Sequence, residues 1–293
     1  MKLETESVLQ KIPHMDAQTH TISRGIHAGV LKGGRATRKA ADVLHGTWMG
    51  HPLHAALTDF TIGAWTLASI FDWIGLLGKS KAAREAADRM IDMGNASAVP
   101  TAVAGLVDYS TIPNSAMATG GTHGLLNAVG YVVNLLSASA RKSGKRTLGV
   151  ALSTAVCTGL LASAWLGGEM VYRYKVGVNR TRKPEGPEDW EPVLDESELM
   201  EDEPQRIEVQ GAPVLLYRHE GDIYAVGAVC GHAAGPLEEG TFDGTKVTCS
   251  WHQSVYDVRD GTVVHGPSCY AEPAYDVRVQ DGRIELRLSS EHD

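Results

Sequence analysis

Four apolar runs dominate the first 175 residues. Residues 52–78 form the longest. Residues 90–109 are weaker and interrupted by Pro100, 123–140 follow a Pro/Gly/Ser-rich stretch at 111–122, and 148–172 are the clearest. At about 1.5 Å of rise per residue, the first and last are long enough to cross a bilayer as helices. Charged residues separate the runs: 79–89 between the first and second, and Arg141, Lys142, Lys145 and Arg146 between the third and fourth. Within them polar residues recur at steps of three and four, which places each set on one helix face. The stripes are His51, His54, Thr58, Thr61, Trp65 and Asp72; His123, Asn127, Tyr131, Asn134 and Ser137; and Thr154, Thr158, Trp165 and Glu169. In a membrane such faces turn inward, and the abundance of Gly, Ala, Ser and Thr suits close helix packing there. A water-soluble helical bundle is the competing reading.

Beyond residue 204 the period changes from helical to two. Short runs at 212–218, 223–226, 246–250, 254–258, 262–264, 274–279 and 284–288 are separated by turn signals such as Glu220-Gly221-Asp222, Asp243-Gly244, Asp260-Gly261 and Asp281-Gly282. This pattern predicts an all-β domain. The segment from Arg180 to Glu203 carries three prolines, with nine acidic residues between Glu185 and Asp202, and reads as a linker. The resulting organisation is a polar lead-in at 1–50, amphipathic or loosely ordered on a membrane surface, then a four-helix transmembrane domain at 51–175. An acidic linker at 176–204 leads to a β-domain at 205–290.

Charge supports the division. The net charge of −8 conceals 20 basic against 11 acidic residues in 1–183, and 7 against 24 from residue 184 onward. A basic, apolar half joined to an acidic half fits a membrane part and an aqueous part. Nucleic acid is not the expected partner, because the basic residues flank apolar runs and build no aromatic-studded patch. Residues 1–49 are polar, with no apolar stretch of the kind a secretory signal requires.

The strongest chemical signal lies in the β-domain: Cys230-Gly231-His232, sixteen residues, then Cys249-Ser250-Trp251-His252. Structural zinc sites usually begin with C-x2-4-C. Two loops that each offer one thiolate and one imidazole suit a [2Fe–2S] cluster with two Cys on one iron and two His on the other. The pattern resembles the Rieske iron–sulfur domain over about the last hundred residues. The resemblance extends to Gly235-Pro236, to Gln253-Ser254-Val255-Tyr256-Asp257, where Gln253 replaces the usual glycine, and to Gly266-Pro267, which matches the start of the loop that covers the cluster. It implies Cys230, His232, Cys249 and His252 as ligands, and Ser254 and Tyr256 as hydrogen-bond donors to sulfur of the kind that raises the potential. The extra disulfide of the cytochrome bc type is absent, since Gly235 and Trp251 stand in its neighbourhoods. This brings the sequence closer to the ferredoxin-like type and a reducing compartment. The 51–175 region resembles an uncharacterised membrane family whose first helix begins H-P-x-H-x-x-L.

The expected function is membrane-anchored transfer of single electrons between a soluble partner, with a basic docking face, and a membrane acceptor. Alternating spans would bring His51, His54, His123, Asp108 and Glu169 to one end of the bundle. Three readings of that end compete: haem b held by His123 with His51 or His54, a non-haem metal or quinone site, and plain interfacial polar residues. A quinone-linked oxidoreductase and a redox-sensing or assembly subunit are the alternatives to simple electron carriage. A complete Rieske oxygenase is not expected, because no segment offers a 2-His-1-carboxylate iron site. Basic residues flanking the spans are balanced, so the positive-inside rule leaves orientation open. Cluster insertion places the Rieske part in the cytoplasm.

Overall fold

The computed structural model describes residues 15–181 and 186–290; the first part of the lead-in and part of the linker lie outside them. The described residues divide into two compact units. One takes the chain up to Lys32 together with 53–176, and the other takes 33–52 together with the chain from Gly177 onward.

The first unit is helical. After α1 (Met15–Lys32), the second unit's α2 (Gly34–His45) intervenes, and then come α3 (Leu53–Leu77), α4 (Lys81–Tyr109), α5 (Met117–Lys142) and α6 (Arg146–Gly168). A π-helical turn, Glu169–Arg173, extends α6. Helices α3 and α6 are long and apolar enough to cross a membrane. Two expected breaks are absent. The Ser80 hydroxyl accepts from Ala83 N, so the charged residues after it begin α4 and do not form a loop. The helix also runs through Pro100 at the cost of one backbone hydrogen bond. Helices α3 and α4 form one hairpin and α5 and α6 another. Each hairpin also packs on the other through α4 against α5 and α3 against α6, which sets α3 and α5 on one diagonal of the bundle. Helix α1 joins this unit, its Ser23 hydroxyl donating to Ser110 O at 3.1 Å.

The bundle buries polar side chains beside an apolar cluster of Trp65, Ala68, Ile91, Ala98, Val156 and Leu160, and it exposes large apolar ones. Thr61, Asp72, Asn95, Asn134, Ser137, Ser153 and Ser163 are buried, whereas Phe60, Ile70, Trp73, Leu77, Val103, Leu125, Val132, Leu136 and Leu161 are exposed. Small residues permit the close approach: a Cβ at Gly94 would collide with the Trp65 ring. The stripes read on α3 and α5 do turn inward apart from His51, but that on α6 does not. Thr158 and Trp165 are exposed, and the buried face runs through Gly149, Ser153, Val156, Leu160 and Ser163. Small residues set that face, so polarity alone misplaced it. At the far end of the bundle Arg141 is clamped by the buried carboxylate of Asp72, with Nη1 to Oδ1 at 2.7 Å and Nη2 on Oδ2. It also reaches Asp88 at 3.0 Å and Ser153 Oγ at 2.9 Å.

The second unit is all-β with one helical addition. Strands β1 (Glu191–Asp195), β2 (Gln205–Val209), β3 (Ala212–His219), β4 (Asp222–Gly227), β5 (Thr241–Asp243), β6 (Lys246–Thr248), β7 (Val255–Asp257), β8 (Val263–His265), β9 (Ala274–Gln280) and β10 (Arg283–Leu288) form two antiparallel sheets. Their orders are β1-β10-β9-β4-β3-β2 and β5-β6-β7-β8. Strand β1 lies in the segment read as linker. Its acidic residues hid a strand whose Val193 and Leu194 pack on the core with Ile284 and Leu286. The lead-in likewise contributes structure: α2 docks on β8, where Asp42 accepts from the His265 ring at 2.8 Å and from Gly266 N at 2.9 Å.

Removing Asp72 leaves Arg141 buried with fewer counter-charges. Asp72→Ala therefore lowers stability by about 3–5 kcal/mol, while Lys81→Ala, at an exposed ion pair, changes it by less than about 0.5 kcal/mol. Thermal unfolding of the detergent-purified protein measures both.

Candidate metal centre

Two loops of the β unit, between β4 and β5 and between β6 and β7, carry the four motif residues. The sequence spacing differs, C-x-H against C-x-x-H, but the backbone frames match. In the first, Cys230 N donates to Gly235 O at 2.9 Å and Ala234 N donates to Cys230 O at 2.8 Å. In the second, Cys249 N donates to Ser254 O at 2.8 Å and Gln253 N donates to Cys249 O at 3.1 Å. Each loop therefore closes with the fourth residue after the cysteine in the left-handed region, Ala234 at φ 65° and Gln253 at φ 66°. Gln253 holds the turn that glycine usually makes, against a steric preference of about 1–2 kcal/mol. Gly235 is required for another reason. A Cβ there would lie 2.9 Å from Cys249 Sγ and 3.1 Å from the Trp251 ring, so the two loops meet across it.

The four side chains are disposed asymmetrically. Cys230 and Cys249 are each only 2 % exposed, while His232 and His252 are partly open and their ring centroids lie 4.9 Å apart at 77°. All four cysteines of the chain are free thiols, so no disulfide ties the loops. The two thiols interact: Cys249 is lowered to about 6 by the hydrogen bond from Cys230, with help from the backbone N–H groups of Trp251 and His252. The Tyr256 hydroxyl lies 3.2 Å from Cys230 Sγ. Burial holds the phenol well above its usual range, so Tyr256 keeps its proton and acts as a donor.

A third loop, 266–273, completes the pocket wall. The Ser254 hydroxyl accepts from Ser268 N at 3.0 Å, and Ser268 Oγ donates to Tyr270 O at 3.1 Å. Cys269 Sγ donates to His45 O at 3.1 Å, which anchors the loop to α2. Glu272 is 1 % exposed, and its Oε1 accepts from Gly231 N at 2.8 Å between the first two ligands. Desolvation, then repulsion from Cys230, raises its carboxyl well above the usual range. Sequence reasoning missed Glu272, Ser268 and Asp42. An isolated acid entering an apolar strand at Glu272-Pro273 was the only available signal.

The donor set fits a two-iron cluster better than a single ion. The one group of three His, Cys or carboxylate donors within 4.8 Å of one another among the described residues is Glu201, Asp202 and His219. The Cys/His set is spread more widely than one ion would hold it. That exposed trio is internally paired, Asp202 accepting from Tyr217 at 3.0 Å and from His219 at 2.7 Å. Two buried thiols facing two imidazoles match a cluster with thiolates on one iron and imidazoles on the other.

The Rieske [2Fe-2S] domain family matches residues 189–277. The chain belongs to this family. A second match, to the family described as Predicted membrane protein (DUF2231), spans residues 50–180. The Rieske part is similar to the ferredoxin component of a naphthalene 1,2-dioxygenase/salicylate 5-hydroxylase system from Ralstonia sp. That match has 30% identity and covers 28% of this chain and 79% of that protein. The naphthalene 1,2-dioxygenase ferredoxin of Pseudomonas putida matches at 28% identity, over 34% of this chain and 96% of that one. A chain in a solved complex of reduced oxygenase and oxidized ferredoxin in carbazole 1,9a-dioxygenase matches at 26% identity, covering 36% of this chain and 99% of that one, with TM-score 0.34. The Rieske part of this chain is thus a ferredoxin-like electron-transfer domain that holds a [2Fe–2S] cluster.

Of the other sequence candidates, the helical unit brings together only His54 and His123, whose ring centroids are 6.5 Å apart. His51 is exposed in the turn before α3, and Glu169 reaches Arg173 at 3.4 Å. Asp108 lies at the end of α4, where its backbone carbonyl accepts from Thr111 N.

Tyr256→Phe removes one hydrogen bond to the buried sulfur. The reduction potential falls by about 40 mV, equivalent to about 1 kcal/mol for one electron. A redox titration followed by EPR gives the value; an unchanged potential would contradict the assigned role.

Proposed function

We propose that this chain is a membrane-anchored carrier of single electrons, relaying them between a soluble redox protein and an acceptor in the bilayer. The observation that carries the reading is the asymmetry of the metal centre. Cys230 and Cys249 are sealed beneath Tyr256 and Glu272, whereas His232 and His252 open toward solvent beside Trp251, which is 54 % exposed. A cluster bound there supplies reversible one-electron chemistry. The residues around it do the rest. Buried thiolates exclude water from the sulfur side, Tyr256 donates to Cys230, and the imidazole edges form the contact through which a partner exchanges an electron. Trp251 adds an apolar rim of the kind that short-lived redox contacts use.

Two further features support the anchor and the partner. The helical unit exposes many large apolar side chains, among them Phe60, Ile70, Leu77, Leu125, Val132 and Leu161, a surface suited to lipid. All four of α3 to α6 then span the bilayer, with the Rieske domain in the cytoplasm. The acidic surplus after residue 184 favours a soluble partner with a basic docking face, in the class of the oxygenase that a similar ferredoxin meets in a solved complex.

The anchored carrier is expected to stay with membranes after alkaline carbonate washing and to enter solution only with detergent. Its electron exchange with a cationic small-complex oxidant slows as salt rises, while exchange with an anionic one of similar potential quickens. Release by carbonate would refute the anchor; equal salt responses would refute the acidic docking face.

A further inference from the structure

The helical unit contains an internal repeat. His54 and Gly75 of the first hairpin recur sixty-nine residues later as His123 and Gly144, and at the same offset Asp72 corresponds to a residue of opposite charge, Arg141. Arg84, Thr101 and Gly105 recur sixty-two residues later as Arg146, Ser163 and Gly167. The two histidines share one backbone contact. His54 Nδ1 lies 2.9 Å from Thr101 O, and His123 Nδ1 lies 2.9 Å from Ser163 O. A carbonyl oxygen only accepts, so in both rings Nδ1 carries the proton and Nε2 keeps its lone pair. This is the tautomer, oriented by a backbone carbonyl, that metal-ligating histidines adopt. Gly105 leaves room for it: a Cβ there would sit 2.8 Å from the His54 ring. At Gly167 the corresponding atom would make ordinary contact with His123 at 3.6 Å.

We infer that His54 and His123 are the paired axial ligands of a haem within the helical unit. The two helices that carry them, α3 and α5, lie on one diagonal of the bundle, so the imidazoles meet across its interior. The ring centroids lie 6.5 Å apart with the planes at 88°, a separation that two metal–nitrogen bonds of about 2 Å each would span. The ligand count selects the class of cofactor. No third His, Cys or carboxylate joins the pair within 4.8 Å among the described residues, so a mononuclear ion would lack a protein ligand set. A porphyrin brings four nitrogens of its own and needs only two axial imidazoles. Asn127 Nδ2, 3.1 Å from His123 Nε2, has two shorter acceptors at 2.9 Å, His123 O and Ser163 Oγ, to which it can turn when iron takes that lone pair.

The test uses full-length protein purified in detergent from cells supplied with 5-aminolevulinate. The expected result is about one haem per chain by pyridine haemochrome, a low-spin bis-imidazole EPR signal, and a sharp reduced α-band. His54→Ala and His123→Ala each abolish the low-spin signal, whereas His51→Ala retains it. The helical circular dichroism of each variant reports whether the bundle has folded, and the Rieske EPR signal in the same samples separates failure of this inference from failure of the electron-carrier reading. If an alanine variant does not accumulate, His123→Met decides, because an alternative axial ligand retains haem with a shifted spectrum. A preparation with full cluster content that takes up no haem, even on titration with haemin, overturns the inference. Equal low-spin haem in wild type and both alanine variants also overturns it.

Discussion

Burying two thiolates while leaving two imidazoles at the surface is the constraint around which the β unit is arranged. A buried thiolate needs its charge balanced by metal or hydrogen bonds, and every loop near Cys230 and Cys249 supplies part of that balance. The cysteine loops close on the same pair of backbone hydrogen bonds, although one holds a two-residue and the other a three-residue step to its histidine. A shared frame fixes both sulfurs at one depth, and the unequal steps let the histidines approach from different angles. The 266–273 loop then seals the sulfur side through Ser268 and Glu272, and its attachment to α2 through Cys269 and Asp42 stiffens the seal. The preceding chain therefore takes part in the metal centre's support even though no residue before 230 is a ligand.

The helical unit follows a different rule. Its exterior carries large apolar side chains, and its interior mixes small, polar and apolar ones. Small residues and polar contacts must hold the helices. Trp65 donates to Asn95, Asn95 to the backbone at Asn134, and Ser137 to Gly149 O, each between different helices. The Arg141 cluster adds ionic contacts at one end, bridging three helices through Asp72, Asp88 and Ser153. Such contacts are directional, so they specify register as well as adhesion.

These two regimes explain which parts of the structure were legible in the sequence. Cys230, His232, Cys249, His252 and Tyr256 stood out as candidates because metal chemistry restricts residue type and spacing at once. Seven strands showed through their alternation, but β1, β2 and β5 did not; in β1 the acidic and proline residues face outward and only Val193 and Leu194 mark it. Inward stripes on α3 and α5 were readable from His, Asn, Thr and Asp. The buried face of α6 was not, because it is written in Gly, Ser and Val, which do not announce a side. Glu272 escaped notice because a buried acid has no sequence pattern of its own; it becomes visible only when Gly231 N is found pointing at it. The docking of α2 was equally hidden, resting on long-range contacts between Asp42, His265 and Gly266.

The repeat shows how a symmetric start can yield asymmetric chemistry. Related positions on α3 and α5 face each other across the bundle, so whatever occupies them must tolerate its own copy. A charged residue cannot: two buried aspartates or two buried arginines would repel at close range in a poorly screened interior. At that end the positions have become complementary, Asp72 against Arg141. Eighteen residues earlier on each helix, about 27 Å along it, the positions remain identical, His54 against His123. Neutral imidazoles can face their copies, and a metal that binds between them draws its ligands from equivalent places. Divergence at one end and identity at the other thus follow from the same electrostatic requirement, and the identical pair is where a shared centre gains from the symmetry.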